Sequence, residues 1–112
     1  MSNVAIAPYA SQGVDAGLEL ENLGLDEAAF FLLYLQRAAT KSGVREYWRG
    51  TAFRGRSILR EDHNGCFIVY VVETERDGSV RVTLLLAARA AAFPTPEAVD
   101  AILRPRLEDF FT

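Results

Sequence analysis

From Thr51 to Arg89 the apolar residues recur at every second position, and the run is broken twice by turn-forming residues, at His63-Asn64-Gly65 and at Asp77-Gly78. A period of two belongs to strands that bury one face, and turn residues of this kind join neighbouring strands antiparallel. The stretch therefore reads as a three-stranded meander built from TAFRGRSILRED, CFIVYVVET and SVRVTLLLAAR. The middle segment is apolar on both faces, as expected of an inner strand covered on one side and partly on the other.

Register follows from the turns. A two-residue loop at Asp77-Gly78 sets Glu75 opposite Val80, Val71 opposite Leu84 and Val69 opposite Leu86. At the first turn two lengths compete. A two-residue Asn64-Gly65 loop puts Arg60 opposite Val69 and carries Arg54 and Arg56 onto that apolar face. A three-residue His63-Asn64-Gly65 loop with Gly65 left-handed puts Leu59 there instead, with Phe53 beside it, and moves the arginines to the face of Ile58. Burying three arginines without partners is prohibitive, so the second register and a bulge at Gly65 are expected.

Before the meander the period changes to that of a helix over residues 26–42. Asp26 suits its N-cap, Glu27 its first turn and Gly43 its stop. The segment AAFFLLYLQRAATK carries two apolar stripes, Phe30, Leu33 and Tyr34, and Phe31, Leu35 and Ala38. Such a helix needs the sheet on one side and another cover on the other. Residues 1–24 read either as a mobile arm or as short strands at Val4–Ala7 and Gly17–Leu23, the latter from the alternation of Leu18 and Leu20 with Glu19 and Glu21. The third meander strand, with few charges and no proline, needs an edge partner, either an N-terminal strand or its twin in a dimer. After the sheet, Thr95, Pro96 and Glu97 open a helix over 95–104 that is expected to stop before Pro105, with Val99, Ile102 and Leu103 as its stripe. The tail 105–112 ends in Phe110-Phe111, read as closing the chain's own core. The expected fold class is α+β in a single domain. Its sheet is a three-stranded antiparallel meander, four or five strands with N-terminal additions, packed against an N-terminal-half helix and a C-terminal helix.

Charge is distributed unevenly. Across 41–60, Lys41, Arg45, Arg49, Arg54, Arg56 and Arg60 face only Glu46, a local +5, so the remainder of a chain of net charge −3 sums to −8. The acidic whole argues against general polyanion binding. The basic island, with Tyr47, Trp48 and Phe53 interleaved, suits an acidic protein partner or a phosphate-stacking surface, unless neighbours such as Glu73 and Glu75 neutralise it. Arg45, Tyr47, Trp48, Arg49, Arg54, Arg56, Arg60 and His63 are therefore the candidate binding residues. His63 beside Glu61 and Asp62 has the materials of acid–base chemistry, but His-Asn-Gly is also ordinary turn chemistry. Cys66 is the only cysteine, which leaves no internal disulfide and reads as a buried thiol in a reduced compartment. No spacing suggests a metal site or cofactor, and no nucleophile or phosphate-loop signature is present. Residues 1–20 lack the basic start and apolar run of a leader, and no apolar run is membrane-length, so a cytoplasmic, soluble protein is expected.

The residues FRGRSILR, FIVYVVE and VRVTLLLAAR resemble the sheet of RelE/ParE-type toxins. That resemblance implies an RNA-directed or nucleic-acid-binding protein using Arg54, Arg56 and Arg60, with His63 or Glu61 as proton carrier. The family has a helical hairpin ahead of its sheet and a basic charge, whereas one clear helix and an acidic pI are found here. The order helix, three strands, helix is also similar to double-stranded RNA-binding domains, although the last helix opens TPEAVD rather than with lysines. From the residues themselves, the expectation is a non-enzymatic protein-interaction or regulatory module. It is expected to be a homodimer that meets a protein partner through the arginine face and apolar surfaces, with nucleic acid as the alternative.

Overall fold

The computed structural model describes residues 4–38, 47–53 and 56–111. Its centre is the meander: β5 (Arg56–His63), β6 (Cys66–Thr74) and β7 (Val80–Arg89) pair antiparallel in sequence order. An edge strand, β4 (Tyr47–Phe53), pairs antiparallel with β5 through Tyr47–Leu59, Ala52–Ser57 and Phe53–Arg56, with an irregularity between Tyr47 and Ala52. The other edge is closed by β1 (Val4–Pro8), which lies parallel to β7 from Val4–Val80 to Pro8–Leu84. The strand order is β1-β7-β6-β5-β4. The class is α+β as expected, but the sheet is mixed rather than an antiparallel meander throughout. Beyond Pro8, Tyr9 N donates to Leu84 O at 2.7 Å, which carries the chain off the sheet near the middle of β7. From there it can place helices on the sheet's face. The N-terminal strand, not a twin chain, thus occupies the apolar edge of β7.

Both hairpins differ from expectation, in opposite senses. At the first, His63 pairs with Cys66 and only Asn64 and Gly65 form the loop, both left-handed at φ 53° and 77°. That is the type I′ geometry matched to strand twist, and it places Arg60 opposite Val69. At the second, Glu75 N donates to Ser79 O at 2.8 Å and Gly78 N to Glu75 O at 3.1 Å, with Gly78 at φ 87°. The loop is therefore three residues with a left-handed glycine, and Thr74 rather than Glu75 faces Val80. Val71 accordingly meets Thr83, but a bulge between Val69 and Tyr70 takes up Leu85 and restores the Val69–Leu86 pair.

Two cores result. On one face Cys66, Ile68 and Tyr70 pack with Leu59, Val82 and Leu84 beneath helices α1 (Ala16–Glu21) and α2 (Leu25–Ala38). On the other, Phe67, Val69 and Val71 pack with Ile58, Leu85 and Leu86 beneath α3 (Pro96–Phe110). Residues 66–71 are buried without exception, so β6 is the inner strand its composition implied.

The segment read as an arm or a strand at Gly17–Leu23 is mostly helical. Asp15 caps α1 by accepting from Gly17 N and Leu18 N, and Ala16, Leu20 and Leu23 are buried at helical spacing. Upstream, β2 (Ala10–Ser11) and β3 (Val14–Asp15) form a small hairpin around Gln12-Gly13. In α2, Asp26 lies inside the first turn rather than at the cap, Phe31 and Leu35 are buried, and the expected end near Gly43 lies outside the described residues.

Helix α3 begins as expected, with the Thr95 hydroxyl accepting from Ala98 N, but it runs through Pro105. An interior proline costs about 3 kcal/mol. It is offset here because the turn beyond it is anchored: Leu107 is 3% exposed, Arg106 is 9% exposed, and Phe110 and Phe111 pack on the same core. The tail aromatics do close the chain's own core. Ile102, expected in the buried stripe, is 39% exposed, while Val99, Leu103 and Leu107 are buried.

Candidate functional site

The arginine island divides. Arg45 and Arg54 lie outside the described residues. Tyr47, Trp48 and Arg49 fall in the edge strand β4, and Arg56 opens β5 opposite Phe53. Arg60 is bound internally: its Nε donates to Asp62 Oδ1 at 2.7 Å and its Nη2 to Asp62 Oδ2 at 2.9 Å. Its guanidinium carbon lies 3.9 Å from the centroid of the Phe67 ring. These contacts explain why the register rejected above is the one adopted. The penalty for an arginine on the Phe67–Val69 face assumed that it had no partner, and Arg60 has a carboxylate two residues along its own strand and an aromatic face beneath it.

His63 is not loop material but the last residue of β5. Its ring stacks on Phe30 with centroids 3.5 Å apart and planes 9° apart, and meets Phe31 edge-on at 6.2 Å. Next to it Asn64 Nδ2 donates to Glu27 Oε1 at 2.8 Å. That hydrogen bond is the main reason the Glu27 carboxyl titrates below the ordinary glutamate range. The hairpin tip is thereby fastened to the start of α2. Cys66 is buried opposite Arg89, whose Nη1 lies 3.7 Å from the thiol sulfur. Glu73 and Glu75 do not sit isolated beside the island: both engage Arg81 of β7, at 3.8 and 2.9 Å. Among the described residues no three of His, Cys, Asp and Glu are grouped as metal ligands, and no helix is long and apolar enough to cross a membrane.

Two other surfaces stand out. The first is the outer face of α2, where Leu25 is 90%, Leu32 43% and Leu33 54% exposed. Leu25 and Leu32 belong to neither expected stripe, and Leu33 is exposed although its expected stripe partners Phe30 and Tyr34 are half-buried. The second is a cleft of about 350 Å³ between the β2–β3 hairpin and α3, lined among others by Tyr9, Val14, Ile102, Pro105, Arg106 and Asp109. At its floor Arg106 donates from Nη1 and Nη2 to the two carboxylate oxygens of Glu19, at 2.7 and 2.6 Å, and from Nη1 to Leu85 O at 2.8 Å. Leu85 is the bulge residue of β7, one position beyond the last pair with β1, and its carbonyl accepts from the Arg106 side chain of α3. At the rim the Tyr9 hydroxyl donates to Asp109 Oδ2 at 2.9 Å. Burial, and then this bond to a carboxylate, push the tyrosine above its ordinary range. Sequence reasoning missed the cleft because its walls come from segments about ninety residues apart. Its one local signal was the proline inside an otherwise continuous helical pattern.

No protein family, curated protein or solved structure matches the chain.

Proposed function

We propose that the protein is a small protein-interaction module that self-associates as a homodimer through the outer face of α2. The observation that supports this reading is the exposure of Leu25, Leu32 and Leu33 on a helix whose inner residues Phe31 and Leu35 are fully buried. Apolar rows of this kind mark association surfaces. At about 100° per residue, Leu25, Ala29, Leu32 and Gln36 fall within about 60° of one another, with Leu33 beside them. The first turn of α2 carries Asp26 and Glu27 and its last turn Arg37. Two copies packed antiparallel about a twofold axis would bring the leucine rows together and place ends of opposite charge side by side. The basic stretch around β4 would then be presented twice to an acidic partner, without Arg60, which Asp62 and Phe67 hold.

Light scattering tests the dimer. The expected mass is twice 12.4 kDa, falling to one copy in Leu32→Glu/Leu33→Glu with the circular dichroism spectrum retained. A wild-type chain that stays monomeric at every concentration would sink the reading.

The RNA-directed reading has one feature in its favour. Two helices, α1 and α2, precede the meander, the arrangement that the RelE/ParE-type resemblance implies. It requires RNA affinity that falls steeply with salt and weakens in Arg56→Ala. Affinity that ignores both would end it.

A further inference from the structure

The tip of the first hairpin sets a side-chain amide next to a free backbone nitrogen. Of the chain's three asparagines, Asn64 alone precedes a glycine. Both residues are exposed, and together they form the whole turn, at φ 53° and 77°. Among the described residues nothing accepts from the Gly65 N–H, and nothing lies within 4 Å of where a Cβ would stand. The comparable nitrogens elsewhere are occupied. Leu23 N, after Asn22, donates to Leu20 O at 3.1 Å, and Gly78 N, after Asp77, donates to Glu75 O at 3.1 Å. What holds the Asn64 amide away from its neighbour is the bond from Nδ2 to Glu27 Oε1 at 2.8 Å, which keeps it turned toward α2.

We infer that Asn64-Gly65 is a self-modification site, where water replaces the side-chain amide by a carboxylate and so unfastens the hairpin tip from α2 irreversibly. The Gly65 nitrogen gives its proton to solvent base and attacks Asn64 Cγ. The N–Cγ bond forms, the Cγ–Nδ2 bond breaks, and Nδ2 takes up a proton and leaves as ammonia, closing a succinimide ring. Water then opens the ring at either carbonyl, giving aspartate or isoaspartate. One water is consumed and one ammonia released, with nothing oxidised or reduced. The nitrogen lost is the one that donates to Glu27. Its replacement by oxygen sets two carboxylates against each other where a hydrogen bond stood. Isoaspartate also adds a carbon to the main chain of a turn whose two residues are both left-handed. The reaction runs through the state in which the tip has opened locally, well short of global unfolding, so Glu27 guards the site that holds it.

The test is incubation of the full chain at mildly alkaline pH, followed by intact mass, peptide mapping and enzymatic methylation specific for isoaspartate. Conversion is expected at Asn64, as aspartate and isoaspartate together, before any at Asn22. Glu27→Ala should accelerate it roughly tenfold, the strength of one exposed hydrogen bond to a charged group. Glu27→Gln, which keeps an acceptor, should stay nearer the wild-type rate. In Asn64→Asp, the direct mimic of one product, the NMR resonances of Phe30 and His63 should move as their stack loosens. These readouts work in either oligomeric state, so they stand apart from the proposed dimer. Three results would overturn the site: an Asn64 amide that persists while the same dipeptide in a short free peptide converts, a rate unchanged in Glu27→Ala, or wild-type shifts at Phe30 and His63 in Asn64→Asp.

Discussion

Two of the molecule's arginine–carboxylate pairs are each made by two short hydrogen bonds and have very different standing. Arg60 and Asp62 are two residues apart on one strand, with 24% and 56% of their side chains exposed. Arg106 and Glu19 are 87 residues apart, with 10% and 28% exposed, and they join the first helix to the last across the bulge of β7. The first pair forms wherever β5 is extended and is screened by water. The second exists only when the N-terminal segment, β7 and α3 are all in place, and its arginine also donates to the main-chain carbonyl of the bulge residue Leu85. Similar hydrogen bonds therefore report on local chain geometry in one case and on the assembled fold in the other.

The largest expected effect tests this contrast directly. Arg106→Met should destabilise the protein by roughly 3 kcal/mol in urea denaturation, because it strands Glu19 and the Leu85 carbonyl together. Adding Glu19→Leu should recover a substantial part of that loss, since an apolar pair replaces an isolated charge. If the double variant is as unstable as the single one, the pair is not what holds α3 past Pro105.

Gly65→Ala comes next, at about 1 kcal/mol, because φ of 77° is unfavourable for a residue with a Cβ even though nothing lies within 4 Å of that atom. This turn sets the register that puts Arg60 over Phe67. Arg60→Ala should cost less than about 1 kcal/mol, with the difference shrinking in salt. A loss equal to that of Arg106→Met would erase the distinction between the pairs.

The smallest effect is electrostatic. The Glu27 carboxyl is held below its ordinary value of 4.5, first by Asn64. A depressed folded value means that this contribution is complete above the unfolded pKa and is lost as pH falls through the lower folded one. Wild type should therefore lose slightly more stability than Asn64→Gly on acidification below the ordinary glutamate range, a difference read from paired denaturation curves. Parallel curves for the two proteins would show that Asn64 does not fasten the hairpin tip to α2 through that charge.

Several features were legible in the residues because their signals are local. Alternation identified the second and third strands of the meander, but the stretch 51–62 read as one strand is divided between β4, which ends at Phe53, and β5, which starts at Arg56. The double-faced apolar run of β6 identified the inner strand, and Thr95-Pro96-Glu97 marked the start of α3. The turn positions were legible, but their lengths were not. Asn64-Gly65 and Arg76-Asp77-Gly78 both tolerate left-handed residues, and the choice between two and three depends on what each register buries. Counting three arginines as unpartnered tipped that choice wrongly at the first turn. Asp62 lies two positions from Arg60 on the same strand face, so the compensating partner was present in the sequence and unweighed. Of the candidate binding residues, His63 and Arg60 are committed to packing, which composition alone could not separate from a binding role.

Periodicity and near-neighbour backbone preferences are enough to place the inner strand β6, the start of α3 and the positions of the two turns. Tertiary structure decided the parallel docking of β1, the folding of residues 16–21 as helix rather than strand, the continuation of α3 through Pro105, and the cleft between them. Local preferences for these alternatives differ by about 1 kcal/mol per residue, and an interior proline by about 3. Burying one large apolar side chain contributes roughly 1.5–3 kcal/mol, and Leu20, Leu107 and the Arg106–Glu19 pair act together. Where several such contacts converge from distant segments, they outweigh the local preference, and no window of sequence contains them.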